Sequence, residues 1–161
     1  ESISLINTCF EGKTEEVHDY DLIICSALLH ELEDQETFMQ NLYYLADDST
    51  IVHINMPNVN SFHRLLAKKV GIIKSVHDKS EMQNRLQQND FFNIAQLKKM
   101  CESFGFKIIE EGTLAFKPFT NFQIQQIIDA SILDKNIIMA LFDMEEYCPG
   151  LGAEMFVNLK K

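Results

Sequence analysis

The sequence predicts an α/β protein with a mostly parallel sheet and a single domain over residues 1–161. The segment DLIICS at 21–26 contains a continuous apolar run, which is typical of a strand buried on both faces of a parallel sheet. Strand patterns alternate with helix patterns along the chain, which favours helices on both faces. The final segment AEMFVNLKK at 153–161 alternates apolar and polar residues. With 46% hydrophobic residues, the chain can bury a substantial core.

The N-terminal half contains three predicted strands and two predicted helices. The strands are SISLIN at 2–7, DLIICS at 21–26 and TIVHIN at 50–55. Asp34 is the predicted N-cap of the first helix, because apolar residues follow at helical spacing between positions 38 and 45. Asn60 or Ser61 caps the second helix, and Gly71 is placed to end it in the left-handed conformation.

The C-terminal half opens with a polar segment, 72–92, that is predicted to be a loop or a lid. Asn93 caps a helix that Gly105 ends, and FKIIEEGTLAF at 106–116 follows as a strand. Thr120 opens a long helical region that is broken near Asp134. Its apolar residues are expected to form either core or an oligomer face: Phe122, Ile124, Ile127 and Ile128.

Composition excludes some classes of partner. A net charge of -10 argues against a nucleic acid, because binding to a phosphate backbone normally needs a basic face. The four cysteines show no paired or zinc-like spacing, so no metal site is expected and the thiols are interpreted as reduced in the cytoplasm. No apolar run approaches the length of a membrane span, so a soluble protein is expected.

Residues with chemical potential cluster where two predicted strands end. Ser26 and His30 follow one strand, and Asn55 and Asn58 follow the next. The carboxyl ends of parallel strands form the ligand-binding edge of an α/β sheet, so these residues are expected to share one rim. A histidine that titrates near neutrality can accept a proton during catalysis, although many histidines at such turns only cap a helix or bind a carbonyl. His53, in a strand interior, is expected to be packed or paired in the core.

Five motifs then occur in order along the chain, from the second predicted strand to the C-terminus. They are YDLIICSALLHELEDQETFMQNLYYL, NMPNVNSFHR, LKKMCESFGFKIIEEG, KPFTN and CPGLGAEMFV, which start at positions 20, 55, 97, 117 and 148. Together they resemble the later half of a class I S-adenosylmethionine-dependent methyltransferase, most closely the branch that reads LEHxEDP and PNxNSxHR. The resemblance implies a Rossmann-like doubly wound sheet, mostly parallel with an antiparallel C-terminal strand. It also implies S-adenosylmethionine as cofactor and a small-molecule, sugar-like acceptor. A homo-oligomer is also compatible with it.

The resemblance also implies roles for individual residues. His30 would be the catalytic base. The expected cofactor-binding residues are Phe10, Glu11, Cys25, Ser26 and Ala27. The expected acceptor-binding residues are Asn55, Asn58, His63 and Arg64. Each has a simpler alternative: Asn58 can close its own turn beside Pro57, Arg64 can be an ordinary surface charge, and Phe10 and Glu11 can be ordinary loop residues.

Departures from the family pattern leave other functions open. The branch's EH is inverted as His30-Glu31, and its basic GHRR segment is replaced by QQND at 87–90. The glycine-rich turn and the ribose-binding acid of the family do not occur, and the G-x-G at 150–152 precedes a strand, so a chain truncated at its N-terminus is expected. The first alternative is an inactive methyltransferase-like binding or assembly module. A nicotinamide-binding Rossmann domain comes third.

Overall fold

Four strands form one mixed sheet in the order β1-β2-β4-β3. The computed structural model describes residues 20–79, 84 and 92–161. The strands are β1 (Leu22–Ser26), β2 (Ile51–Pro57), β3 (Lys107–Leu114) and β4 (Glu154–Lys160). β1 and β2 are parallel, and β4 runs antiparallel to both β2 and β3. Three strands therefore share one direction and the C-terminal strand opposes them, which confirms the predicted Rossmann-like sheet.

Five helices connect these strands in the part of the chain that the structure describes. They are α1 (Gln35–Leu45), α2 (Phe62–Lys69), α3 (Ile94–Ser103), α4 (Asn121–Asp129) and α5 (Lys135–Asp143). The predicted caps are confirmed: the Asp34 side chain accepts from the Thr37 amide at 2.9 Å, and Asn93 and Thr120 each form a capping box. The predicted break at Asp134 separates α4 from α5.

Two glycines end helices as the sequence predicts. Gly71 follows α2 with φ 81°, and Gly105 follows α3 with φ 95°. These left-handed conformations cost glycine nothing, because it lacks a Cβ atom. The segment 72–79 that follows Gly71 has no regular structure, and the rest of the predicted loop or lid, including QQND at 87–90, lies outside the described residues.

The hydrophobic core lies on one face of the sheet. Alternate residues of β2 and β4 point to this face and are fully buried: Val52, Ile54, Met56, Met155, Val157 and Leu159. The apolar sides of α1 and α3 pack against them, with Met39, Leu42 and Leu97 at 0% exposure. Burial of side chains of this size stabilises the fold by roughly 1.5–3 kcal/mol each. The alternation of apolar residues in β4 therefore sets which of its faces is buried.

The opposite face is more open, which corrects the prediction that the 21–26 strand is buried on both faces. Leu22 is 51% exposed and Ile24 is 62% exposed, while Cys25 is buried in the core. The reason is that α1 and α3 both pack on the face to which Cys25 points. Of the two alternatives for the 122–128 group, core is wrong, since α4 has no buried residue and Phe122 is 72% exposed; an oligomer face stays a prediction.

None of the helices in the described ranges has both the length and the hydropathy of a membrane span. The predicted strand at 2–7 lies outside the described residues.

Candidate functional site

The rim of the candidate site is the edge where β1, β2 and β3 end and β4 begins. Ser26 is opposite Asn55 in the parallel pair, and the Ala27 amide donates to the Asn55 carbonyl at 2.8 Å. The polar residues that follow the two strands therefore meet, as predicted. Ala27 after β1 and Ala115 after β3 have φ values of 51° and 60°. Left-handed backbone at non-glycine residues is strained by about 1–3 kcal/mol, and such strain concentrates at functional sites.

Ser26 and Asn55 are the rim side chains best placed to receive a ligand. Both lie on the open face of the sheet, and among the described residues neither side chain has a hydrogen-bond partner within the protein. Phe156 pairs with Asn55 on the next strand, and its ring fills the space that a Cβ atom of Gly112 would need, at 2.9 Å. The pair thus forms a polar patch beside an aromatic ring.

Cys25 does not share this patch, although it is next to Ser26. Its side chain is 6% exposed and packs in the core, where burial raises the pKa of the thiol to about 11. Burial likewise raises the pKa of the Cys101 thiol to about 12. Both are unreactive packing thiols. Of the three predicted cofactor-binding residues after β1, only Ser26 and Ala27 are therefore exposed at the rim.

The His30 imidazole lies in the interior of the protein. The residue is 3% exposed, and neither ring nitrogen has a hydrogen-bond partner among the described residues. Burial lowers the pKa of His30, and the Glu31 carboxylate, 3.8 Å from Nε2, partly opposes this effect. A catalytic base must come within hydrogen-bond reach of the proton that it removes, so the burial of His30 argues against this role. The role of His30 as the base stays a prediction.

Asn58 is committed to the loop that precedes β4. Its amide nitrogen donates to the carbonyls of Gly150 and Gly152 at 3.1 and 2.9 Å, and its amide oxygen accepts from the Asn60 backbone at 3.0 Å. The residue is 3% exposed. The bond to Asn60 closes the turn after Pro57, as the simpler alternative predicts. The bonds to Gly150 and Gly152 hold a loop that is distant in sequence.

The same loop is fixed from its other side by Thr113. The Gly152 amide donates to the Thr113 hydroxyl at 3.2 Å, and that hydroxyl donates to the Glu145 carboxylate. Glu145 also accepts from the Gly150 amide at 2.9 Å. The G-x-G at 150–152 is therefore a structural turn bound by side chains of β3 and of the turn after α5.

Arg64 holds the segment that follows α2. Its guanidinium donates to the Val76 carbonyl at 2.9 and 2.6 Å and to the Asp78 carbonyl at 2.6 Å. The Asp78 carboxylate in turn accepts from the backbone amides of Lys74 and Ser75 at 2.7 and 3.0 Å. The planar guanidinium of Arg64 therefore binds backbone carbonyls of the chain itself and anchors the start of the predicted lid.

His63 begins α2 and is half-buried. Its Nδ1 atom is buried and has no hydrogen-bond partner among the described residues. Burial lowers the pKa of His63 to about 4, with further contributions from the positive charges of Lys117 and Arg64. The imidazole is therefore neutral at pH 7.

Two charged residues were not predicted as site residues: Lys117, whose charge acts on His63, and Glu154, whose charge acts on Lys117. Glu154 begins β4, opposite Pro57 and Leu114, and Lys117 follows β3. Both are half-buried: burial raises the pKa of Glu154 and lowers that of Lys117, while their opposite charges work against each shift. They lie in the KPFTN and CPGLGAEMFV motifs, to which the resemblance assigned no role. The two motifs could therefore have pointed to Lys117 and Glu154 as site residues.

His53, in strand β2, has a structural role. His53 Nδ1 is 2.7 Å from the Asn158 side-chain oxygen, and its ring stacks on Phe156 with centroids 5.9 Å apart. This confirms the prediction of a paired histidine. Across the ranges 20–79 and 92–161, no cluster of three or more His, Cys, Asp or Glu residues could hold a metal ion. Phe10 and Glu11 lie outside the described residues.

Comparison with known proteins identifies the family. A family model described as a methyltransferase domain matches residues 5–111. The chain belongs to this methyltransferase family. No curated protein matches the sequence.

Solved structures show the same fold at low sequence identity. A SAM-dependent methyltransferase of Thermotoga maritima, titled a possible histamine N-methyltransferase, has 16% identity and a TM-score of 0.57, with 96% of this chain and 62% of that chain covered. Phosphoethanolamine N-methyltransferase 2 of Haemonchus contortus, in complex with S-adenosyl-L-methionine, has 15% identity and a TM-score of 0.52, with coverage of 91% and 34%. The [4+2]-cyclase SpnF has 11% identity and a TM-score of 0.54, with coverage of 96% and 54%. The chain thus spans less than two thirds of each of these three proteins.

Proposed function

We propose that this protein transfers a methyl group from S-adenosylmethionine to a small-molecule acceptor. The match of the methyltransferase-domain family over residues 5–111 carries the proposal. The sheet supports it, because the antiparallel strand β4 is inserted between the parallel strands β2 and β3. This is the strand arrangement that the resemblance to methyltransferases predicts. A fold alone does not determine a reaction, as the cyclase among the similar structures illustrates, so the chemistry is inferred from the site.

The residues at the rim fit one side of a cofactor site. Ser26 and Asn55 present a hydroxyl and an amide without partners among the described residues, next to the strained turn at Ala27. Ligands of open α/β sheets bind at this edge, so Ser26 would contact the cofactor and Asn55 the acceptor next to it. When bound, S-adenosylmethionine supplies an electrophilic methyl group on its sulfonium. The predicted contacts from Phe10 and Glu11 belong to the same proposal.

The chain's own contribution to methyl transfer would be alignment of the acceptor and exclusion of water. Both effects speed a reaction without a crowded catalytic cluster, because holding two reactants in line removes much of the entropic barrier. Asn55 at the rim and His63 in the first turn of α2 are the proposed acceptor contacts. Asn58 and Arg64 would position the acceptor through the loops they hold, at 150–152 and 76–78.

A sugar-like acceptor and a cytoplasmic location are further parts of this proposal. The acceptor class follows the branch that the sequence resembles. The location is supported by Cys25 and Cys101, which are free, buried thiols.

Calorimetric titration of the intact protein with S-adenosylmethionine tests the central point. The active enzyme should bind the cofactor and form S-adenosylhomocysteine with a methyl acceptor from a panel of sugars and amines. Ser26→Ala should weaken cofactor binding by roughly fivefold to tenfold, the value of one hydrogen bond, whereas Asn55→Ala should raise the KM for the acceptor. Tyr44→Ala, on the exposed side of α1, is the matched control. Absence of binding heat would reject the proposal.

The second candidate is a methyltransferase-like binding module without activity. The interior position of His30 favours it, because the expected base is withdrawn from the rim. It predicts no heat with S-adenosylmethionine and no product. The same titration therefore separates the two candidates.

A further inference from the structure

Two polar atoms at the start of α2 are buried without partners. The Oγ atom of Ser61, a residue with 0% exposure, and the Nδ1 atom of His63 have no hydrogen-bond partner among the described residues. Ser61 is the N-cap residue of this helix, yet its hydroxyl does not cap it. Leaving a buried polar group unpaired costs about 1–3 kcal/mol, so two such groups within the cap and first turn of one helix indicate a missing partner.

A cation faces this helix end from a neighbouring segment. The rings of Phe62 and Phe116 are in contact, with centroids 4.9 Å apart, which brings the first turn of α2 beside Lys117. The Lys117 ammonium donates to the Asn121 side chain at 2.7 Å, and Glu154 is its oppositely charged neighbour.

Two positive charges act on the His63 imidazole, those of Lys117 and Arg64. Each cation also has a carboxylate acting on it, Glu154 on Lys117 and Asp78 on Arg64, but neither carboxylate is among the charges that act on His63 itself. The two cations are also what lowers the pKa of His63 beyond the effect of burial. An anion bound here would oppose them and would favour the protonated imidazole.

We propose that Ser61, His63 and Lys117 bind an anionic oxygen group, a carboxylate or a phosphate, carried by the methyl acceptor. The assignment of the anion to the acceptor rests on the proposed function, whereas the anion site itself does not. The N-terminus of α2 contributes the positive end of its dipole, the hydroxyl and imidazole are hydrogen-bond donors, and the ammonium supplies a full charge. The negative charge of Glu154, which also acts on Lys117, would oppose the bound anion.

Proton NMR titration of His63 tests the site without any catalytic turnover. The His63 ring signals are assigned by their loss in His63→Gln. Inorganic phosphate or acetate, each compared with chloride at equal ionic strength, should raise the pKa of His63 by about one unit or more, as an opposite charge a few Å away does. The anion that produces the larger rise identifies the acceptor group as phosphate or carboxylate.

Three variants separate this site from general salt effects. Lys117→Met should weaken anion binding tenfold or more, the loss of a charge-assisted hydrogen bond, whereas Glu154→Gln should strengthen it by removing the opposing negative charge. Lys68→Met removes an exposed lysine from the same helix and should change nothing. A pKa of His63 that neither anion moves, or a rise that persists in Lys117→Met, would overturn the proposal.

The outcome is distinguishable from failure of the proposed function. Cofactor binding is measured on the same samples by calorimetry. Binding of S-adenosylmethionine together with an unresponsive His63 would reject the anion site alone, and a responsive His63 without cofactor binding would reject the methyltransferase alone.

Discussion

Asn58→Ala is expected to destabilise the protein strongly, because this side chain holds the loop before β4. The change removes three hydrogen bonds of 2.9 to 3.1 Å and leaves the Gly150 and Gly152 carbonyls without their donor. A net contribution of about 0.5–1.5 kcal/mol per bond gives a loss of roughly 3 kcal/mol in the free energy of unfolding. For a chain of this size that corresponds to a fall of about 6–12 °C in Tm.

Urea unfolding followed by circular dichroism measures this loss. Asn60→Ala is the matched control, since Asn60 is an exposed asparagine in the same turn whose backbone amide, not its side chain, contacts Asn58. It should lie within about 0.5 kcal/mol of the parent protein. An Asn58→Ala protein as stable as this control, with a raised KM for the acceptor, would refute the structural role and restore direct acceptor binding.

Three further predictions concern buried and strained positions. His30→Leu should raise the free energy of unfolding by about 1 kcal/mol and leave kcat unchanged, because it replaces two unpaired ring nitrogens by apolar atoms; a hundredfold fall in kcat would show that His30 is the base after all. Gly152→Ala should lower the free energy of unfolding by roughly 3 kcal/mol or more, since the added Cβ would collide with the Leu114 backbone. Gly150→Ala should lower it by only about 1–2 kcal/mol, because Gly150 has open space around it and the cost comes from its φ of 80°. Equal losses in the two variants would contradict this packing. Stability should fall as the pH drops below 6.5 toward 4, because unfolded His63 takes up a proton that the folded protein resists, and His63→Gln should flatten this dependence in thermal melts at each pH.

Local sequence signals were reliable where they act within a few residues. The caps at Asp34, Asn93 and Thr120 and the left-handed glycines at 71 and 105 formed as predicted, because each satisfies backbone groups of its own helix. The meeting of Ser26 and Asn55 was also predictable, since two consecutive parallel strands place their carboxyl ends side by side.

Roles of individual side chains were less predictable. His30 and Asn58 were both expected at the rim from their positions after strands, yet one turns into the interior and the other binds a loop 92 to 94 residues away in sequence. The direction of a side chain after a strand depends on the turn that follows and on what packs against it, and neither is encoded in a short motif.

The sequence by itself determined the fold class, the strand directions and the family, because hydrophobic period, capping residues and motif order are properties of neighbours along the chain. Only the tertiary structure decided which face of β1 is buried, that the His30 side chain lies in the interior, and that the charges of Lys117 and Arg64 act on His63. Those residues are brought together by sheet register and helix packing over long sequence separations. Contacts of that kind fix burial and charge environment, and these in turn set the pKa and the chemistry of each group.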